Sequence, residues 1–220
     1  MKVLNLYCGL GGNRVLWSNQ HQVTAVDNDI QVLEAYAERF PQDIVLCVDA
    51  HQYLLENFQD FDFIWSSPPC QSHSRLVQTA RGKYGRTHYP DMRLYEEIVL
   101  LRSYFDGLYC VENVEPFYGA LIPCQKRGRH LLWTNFYLPE FNVEDVRWED
   151  VRKGHYGFYL PENIYQGSND PLKVYRNMCN PKIGEEVLNA AQKVYNPPEY
   201  RNHSYKQHDW MLGEYVKVRE

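Results

Sequence analysis

The chain has 220 residues, 44% of them hydrophobic, and a formal net charge of −5, which fits one domain with a sizeable core. An acidic chain is not a general nucleic-acid coat, so any contact with nucleic acid has to come from a local basic patch. No stretch is long and apolar enough to span a membrane, and the opening MKVLNLYCG lacks a signal-peptide core, so a cytoplasmic protein is expected.

Residues 2–7 (KVLNLY) form an apolar run that feeds a glycine cluster, the pattern of a strand entering a tight turn. A short helix is expected over 12–19. Residues 22–27 (QVTAVD) alternate and end on Asp27, which makes a second strand. Over 29–40, Ile30, Leu33, Ala37 and Phe40 share a helical face, with Asp29 placed to cap it and Pro41 to end it. Residues 44–48 (IVLCV) predict a third strand ending at Asp49, and 61–66 (FDFIWS) a fourth ending at SPPC. A glycine-containing loop over 71–89 precedes a helix striped by Leu94, Ile98, Leu101 and Phe105. Residues 107–111 (GLYCV) predict a fifth strand ending at Glu112, and 130–136 a further one.

This alternation predicts an α/β fold with a doubly wound, parallel-rich sheet. Residues 137–175 are rich in charge, Tyr, Gly and Pro without a sustained period, which predicts an irregular insert. A helix is expected over 181–194, where Ile183, Val187, Leu188 and Ala191 share a face. The expected organisation is therefore a catalytic domain over 1–136 and 176–194, a small insert over 137–175, and a C-terminal arm over 195–220.

Open α/β sheets bind ligands outside the carboxyl ends of their strands. Here those ends hold Gly9 to Gly12, Asp27, Asp49, Cys70 and Glu112. The glycine turn lets backbone approach a ligand, although such turns also merely join a strand to a helix. Asp27 can accept from both hydroxyls of a ribose, or cap a helix. Asp49 can accept from an adenine amino group, or cap the helix that follows.

None of the six cysteines forms a CxxC pair, and the Cys–His spacings do not read as a zinc site, so no metal is expected. Buried, inert thiols are the default for Cys8, Cys47 and Cys110. Cys70 differs: in SSPPCQSHS, residues 66–74, two prolines stiffen the loop that presents its sulfur. Glu112 in VENV emerges from an apolar strand, where desolvation raises a carboxyl pKa and favours a protonated acid able to donate to a ring nitrogen. In QKRGR, Arg127 and Arg129 share a strand face if that segment is extended. Arg75, Arg81, Lys83, Arg86 and Arg93 form a local basic run, with Gly82 and Gly85 as hinges, which reads as a nucleic-acid-contacting loop or as a solvated one.

YCGLGG, PPCQ, VENV and QKRGR occur in that order and resemble the first, fourth, sixth and eighth motifs of the cytosine-C5 DNA methyltransferase family. RNMCNPKIGEEVL, residues 176–188, is similar to the family's tenth motif. The resemblance covers most of 1–136 and 176–194 and implies a Rossmann-like, S-adenosylmethionine-dependent methyltransferase acting on DNA. By it, Tyr7, Gly9, Gly11, Gly12, Asp27, Asp49, Pro69, Asn177 and Met178 would bind the cofactor. Tyr7 stands where the family usually has Phe, and Asp27 where it usually has Glu. Cys70 would attack C6 of cytosine, Glu112 would hold N3, Arg129 would bind the base carbonyl, and Arg127 would support that loop. Gln71, Ser74, Arg75, Arg81, Lys83 and Arg86 would meet DNA, with the target base flipped out.

The chain departs from the family between the eighth and tenth motifs, where a sizeable recognition domain is usual. The short insert here is too small for a domain with its own core. Recognition would then fall to Tyr156, Tyr159, Tyr165 and nearby charges, to the arm, or to a second chain such as a homodimer partner. Methylation of cytosine in RNA or in a nucleotide stays open, as does a silent nucleic-acid-binding module.

Overall fold

The computed structural model describes residues 1–74, 89–144, 146–157, 174–175 and 177–195. Seven strands form one sheet: β1 (Lys2–Leu6), β2 (Gln22–Asp27), β3 (Ile44–Cys47), β4 (Phe63–Ser66), β5 (Leu108–Val114), β6 (Gln125–Arg127) and β7 (His130–Thr134). Their order is β3-β2-β1-β4-β5-β7-β6. β1 to β5 run parallel, while β7 is antiparallel to both β5 and β6. The helices are α1 (Ile30–Arg39), α2 (Ala50–Asn57), α3 (Arg93–Tyr104), α4 (Trp148–Arg152) and α5 (Pro181–Val194). The fold is a doubly wound, Rossmann-like α/β sheet. Among the described residues no helix is long and apolar enough to cross a membrane.

Strand side chains alternate between two cores, as a period of two requires. Val3, Phe63, Trp65, Cys110 and Leu132 face one layer, where they meet Ile183, Val187 and Leu188 of α5. Leu4, Leu6, Ile64, Tyr109, Val111, Leu131 and Trp133 face the other, where they meet Leu54 of α2 and Leu94, Ile98 and Leu101 of α3. Strands buried on both faces read as continuous apolar runs, which is why β1, β4 and β5 stand out in the sequence. The outer strand β3 is less covered, and Ile44 is exposed.

The helix expected over 12–19 is only a 3-10 turn at Gly12–Arg14. Its side chains are pulled inward instead. Asn13 donates to Asn5 on β1 at 2.8 Å, and the buried Arg14 pairs with Asp43 at 2.9 Å. Arg14 also donates to the Trp17 carbonyl at 2.9 Å. β5 does not end at Glu112 as expected but continues to Val114, because pairing with β7 extends to Val114 opposite His130. Glu112 is therefore inside the strand. β6 and α4 are elements that periodicity did not reveal; both are short.

Candidate active site

The glycine turn leaves β1 through Tyr7, a non-glycine residue at φ 53°, a conformation that costs about 1–3 kcal/mol. Tyr7 is held there from the opposite face of the sheet, where its hydroxyl donates to Glu97 of α3 at 2.6 Å. Glu97 is fully buried and also accepts from Ser66 at 2.5 Å, and it lies 3.0 Å from His51 Nδ1. This carboxylate ties the ends of β1 and β4 to α2. Burial and the Glu97 carboxylate push the Tyr7 phenol well up, so it remains a donor.

The hydrogen bond to Glu97 raises the His51 pKa, against an opposing effect of burial. A raised histidine stabilises the fold fully below its unfolded pKa of about 6.5, and the contribution is lost as pH climbs through the folded value. His51→Ala is therefore expected to destabilise the protein by about 1.5 kcal/mol or more at pH 5.5 and by less at pH 8.5. Urea melts at both pH values check this; an equal loss at both would show that the pair carries no charge-dependent stability.

Beside the glycine turn, Asp27 ends β2 with both oxygens occupied. Oδ2 accepts from the Gly9 amide at 3.0 Å and Oδ1 from the Asp29 amide at 3.1 Å. Burial raises its pKa, against the lowering effect of those amides. Asp49 caps α2 by accepting from Gln52 N at 2.8 Å, and its exposed carboxylate lies 3.9 Å from the Arg93 guanidinium. Gly9 has open space where a Cβ would stand, whereas a Cβ on Gly11 would come within 2.7 Å of Tyr36. A Cβ on Gly12 would collide with the Cys179 carbonyl and with Met178. The glycine turn and the segment before α5 therefore touch, although more than 160 residues separate them. Met178 is buried there, while Asn177 is exposed. Asn180, which the sequence reading passed over, caps α5 through Lys182 N at 2.9 Å and reaches the Glu144 carbonyl at 3.0 Å. Asparagine followed by proline at a helix start was the available signal.

The Cys70 loop is stitched to β5. Ser67 donates to Glu112 Oε2 at 2.9 Å, and Asn113 donates to the Pro68 carbonyl at 2.9 Å. Pro68 is buried, Pro69 and Gln71 are exposed, and Cys70 is half-buried. The Cys70 carbonyl accepts from the amides of His73 and Ser74, both at 3.0 Å, and Ser74 forms a β-bridge to Pro116. The sulfur is thus presented by a turn anchored on both sides. Arg75, Arg81, Lys83 and Arg86 lie outside the described residues, as do Tyr159 and Tyr165.

Glu112 is buried with His130 Nδ1 2.6 Å from its Oε1. Burial acts to raise its pKa, but His130, Ser67 and Arg129 outweigh that and hold it below the usual carboxylate range. The expectation of a protonated acid at rest is therefore corrected: Glu112 is a carboxylate. Arg127 and Arg129 do not share a strand face either. β6 stops at Arg127, and Gly128, at φ 56°, turns the chain. Arg127 is buried and donates to the carbonyls of Leu138 at 2.6 Å and Pro139 at 3.0 Å, which anchors the start of the insert. Arg129 is exposed and lines a cavity of about 490 Å³ together with His130, Tyr156, Tyr175, Met178 and Asn180. That cavity brings the expected Arg129 and Met178 together with Tyr156; Cys70 and the glycine turn are not part of its lining.

A doubly wound sheet with a glycine turn at β1, acids at the end of β2 and just after β3, and a cysteine loop bonded to a glutamate strand has the layout of a Rossmann-like enzyme. The family model for C-5 cytosine-specific DNA methylase matches residues 1–116, more than half of the chain, and the protein belongs to that family. No curated protein sequence is significantly similar to it. Among solved structures, a mutant of DNMT2 from Spodoptera frugiperda is 24% identical with a TM-score of 0.38, over 55% of this chain and 37% of that one. The methyltransferase EhMeth from Entamoeba histolytica is 18% identical with a TM-score of 0.36, over 55% of this chain and 40% of that one. The chain thus aligns with about two-fifths of the length of these structures.

Proposed function

We propose that the protein transfers a methyl group from S-adenosylmethionine to C5 of cytosine in DNA, with Cys70 as a transient nucleophile. The observation that carries this is the pair of bonds from the cysteine loop to β5, Ser67 to Glu112 and Asn113 to Pro68. They hold the nucleophile loop and the carboxylate as one rigid unit, which is what two groups acting on one ring require.

The residues present fit the cofactor. Gly9 leaves an open cradle, Asp27 is oriented by two backbone amides with further lone pairs for ribose hydroxyls, and Gly12 and Met178 close one wall. Asp49 keeps one carboxylate oxygen clear of the α2 cap, and Tyr7, Gly11, Pro69 and Asn177 complete the proposed set. Bound there, S-adenosylmethionine would supply an electrophilic methyl group.

C5 of cytosine is a weak nucleophile. The Cys70 thiolate adds to C6, and the electron pair of the C5–C6 double bond becomes available at C5. Glu112 holds N3 and Arg129 binds the base carbonyl, so charge that develops on the ring is stabilised. After methylation, loss of the C5 proton and departure of Cys70 restore the ring. A target in duplex DNA has to be flipped out to reach this loop, and Gln71, Ser74 and the basic run over 75–86 are the proposed contacts to the strand.

Incubating the protein with tritium-labelled cofactor and unmethylated duplex DNA, single-stranded RNA or deoxycytidine monophosphate, followed by digestion to nucleosides, checks the proposal. Label in 5-methyldeoxycytidine from duplex DNA is expected. Label only in RNA or in the nucleotide would move the substrate, and label on N4 of cytosine or on adenine would rule out the Cys70 chemistry.

A further inference from the structure

Both oxygens of Glu112 are engaged by side chains, Ser67 at Oε2 and His130 at Oε1. The β5–β7 register places Glu112 opposite Leu132 and Val114 opposite His130, so Glu112 and His130 are diagonal neighbours on one face of the sheet. The other ring nitrogen of His130, Nε2, accepts from Arg129 Nε over a long 3.4 Å. An imidazole that accepts at Nε2 carries its proton on Nδ1 and donates it to Glu112. Neither the resemblance nor the cysteine mechanism uses this buried histidine.

Glu112 poses a chemical problem for the proposed function. A carboxylate held ionised at rest has no proton for a ring nitrogen, and histidine is the side chain that carries protons near neutrality. We propose that His130 is the positioning residue through which Glu112 receives the proton it delivers to the ring nitrogen of a bound base; this rests on the function proposed above. When Arg129 turns from His130 to the base carbonyl, Nε2 takes up a proton from solvent and the ring becomes imidazolium. Its Nδ1 proton passes to Oε1 of Glu112, and Glu112 releases one proton to the ring nitrogen. The base gains one proton, Glu112 ends as carboxylate and His130 as neutral imidazole. Base binding thereby switches on the proton supply.

Among the described residues, Glu112 and Arg129 bond to His130, Cys110 and Cys179 lie beside Glu112, and Glu144, Arg147, Glu149, Tyr156 and Tyr175 share the cavity that His130 lines. Glu112, His130 and Cys179 offer ligand atoms within 4.8 Å of one another. Burial pushes both thiols well up, and Glu112 and Arg129 are the charged groups bonded directly to the ring.

His130→Asn keeps an N–H that can donate to Glu112 but cannot carry an extra proton. Single-turnover methyl transfer, with DNA and cofactor saturating, is measured from pH 5.5 to 8.5. The wild-type rate is expected to depend on pH, and the variant to lose that dependence and run on the order of 100-fold slower at pH 6.5. Cofactor and DNA affinities are expected to stay within about twofold. Nitrogen-15 chemical shifts of the ring provide a second readout that does not depend on activity: the Nδ1–H tautomer in the wild type, with that preference lost in Glu112→Gln. A variant with the wild-type rate and pH profile, or an Nε2–H tautomer in the wild type, would overturn the proposal. If the wild type methylates nothing, the functional proposal fails, while the tautomer still decides whether His130 serves Glu112.

Discussion

Cys70→Ala is expected to reduce methyl transfer on the order of 10⁴-fold while leaving cofactor affinity and the unfolding midpoint near wild type, because the covalent step has no substitute nucleophile. The local structure separates Cys70, the proposed nucleophile, from the buried cysteines; Cys47, expected to be buried, is instead exposed on the edge strand β3, outside the anchored loop. Burial pushes the thiols of Cys8, Cys110 and Cys179 well up, and that of Cys124 up to about 11, which suppresses their thiolates. Cys70 sits half-buried in a turn whose carbonyl accepts two amides and whose preceding prolines remove backbone freedom. Replacing its side chain disturbs none of those bonds, so the loss should be chemical and not structural. A duplex carrying 5-fluorocytosine tests the same step from the substrate side: with fluorine at C5 there is no proton to lose, and the Cys70–C6 bond should persist through denaturation. An adduct that survives in Cys70→Ala, or labelling rates that match those of Cys124→Ala, would place the nucleophile elsewhere.

What the sequence disclosed here is what local rules control. The central strands are apolar on both faces and punctuated by glycine, acid or proline, so their number and order of appearance were readable. Helix α5 was readable to the residue because Ile183, Val187, Leu188 and Ala191 recur at helical spacing. Asp49 was open between two roles; its Oδ1 caps α2 and its Oδ2 is left to the proposed adenine contact, while the range of α2 was not readable because its eight residues show little periodicity. The state of Glu112 was not readable, for a different reason. Desolvation is a local expectation from an apolar strand, whereas the His130 partner depends on the register of β5 against β7, neighbours in the sheet that β6 separates in the sequence. The contact of Asn180 with the Glu144 carbonyl likewise rests on where α5 docks. The condition for Arg127 and Arg129 to share a strand face, an extended segment, is not met because Gly128 turns the chain between them.

The docking of α5 underlies the second large effect. Gly184→Ala is expected to destabilise the protein by about 3 kcal/mol, although helix propensity alone predicts a gain of about 1 kcal/mol. Packing wins because a Cβ at this position would be driven into the Asn13 carbonyl and its neighbouring backbone atoms, and backbone cannot rotate aside. Withdrawing the helix is no remedy. Trp17 Nε1 donates to the Gly184 carbonyl at 2.9 Å, and Ile183, Val187, Leu188 and Ala191 lie buried on the sheet. Gly12→Ala would strain the same seam from the other side, against Cys179. The two substitutions should therefore be non-additive, the second costing less once the first has parted the surfaces. Because that seam closes one wall of the proposed cofactor site, cofactor affinity should fall along with stability, even at temperatures where the variants remain folded. Urea unfolding and calorimetric titration on both single variants and the double variant measure this. A Gly184→Ala protein more stable than wild type would mean that α5 does not pack on the glycine turn, and the proposed cofactor wall would go with it.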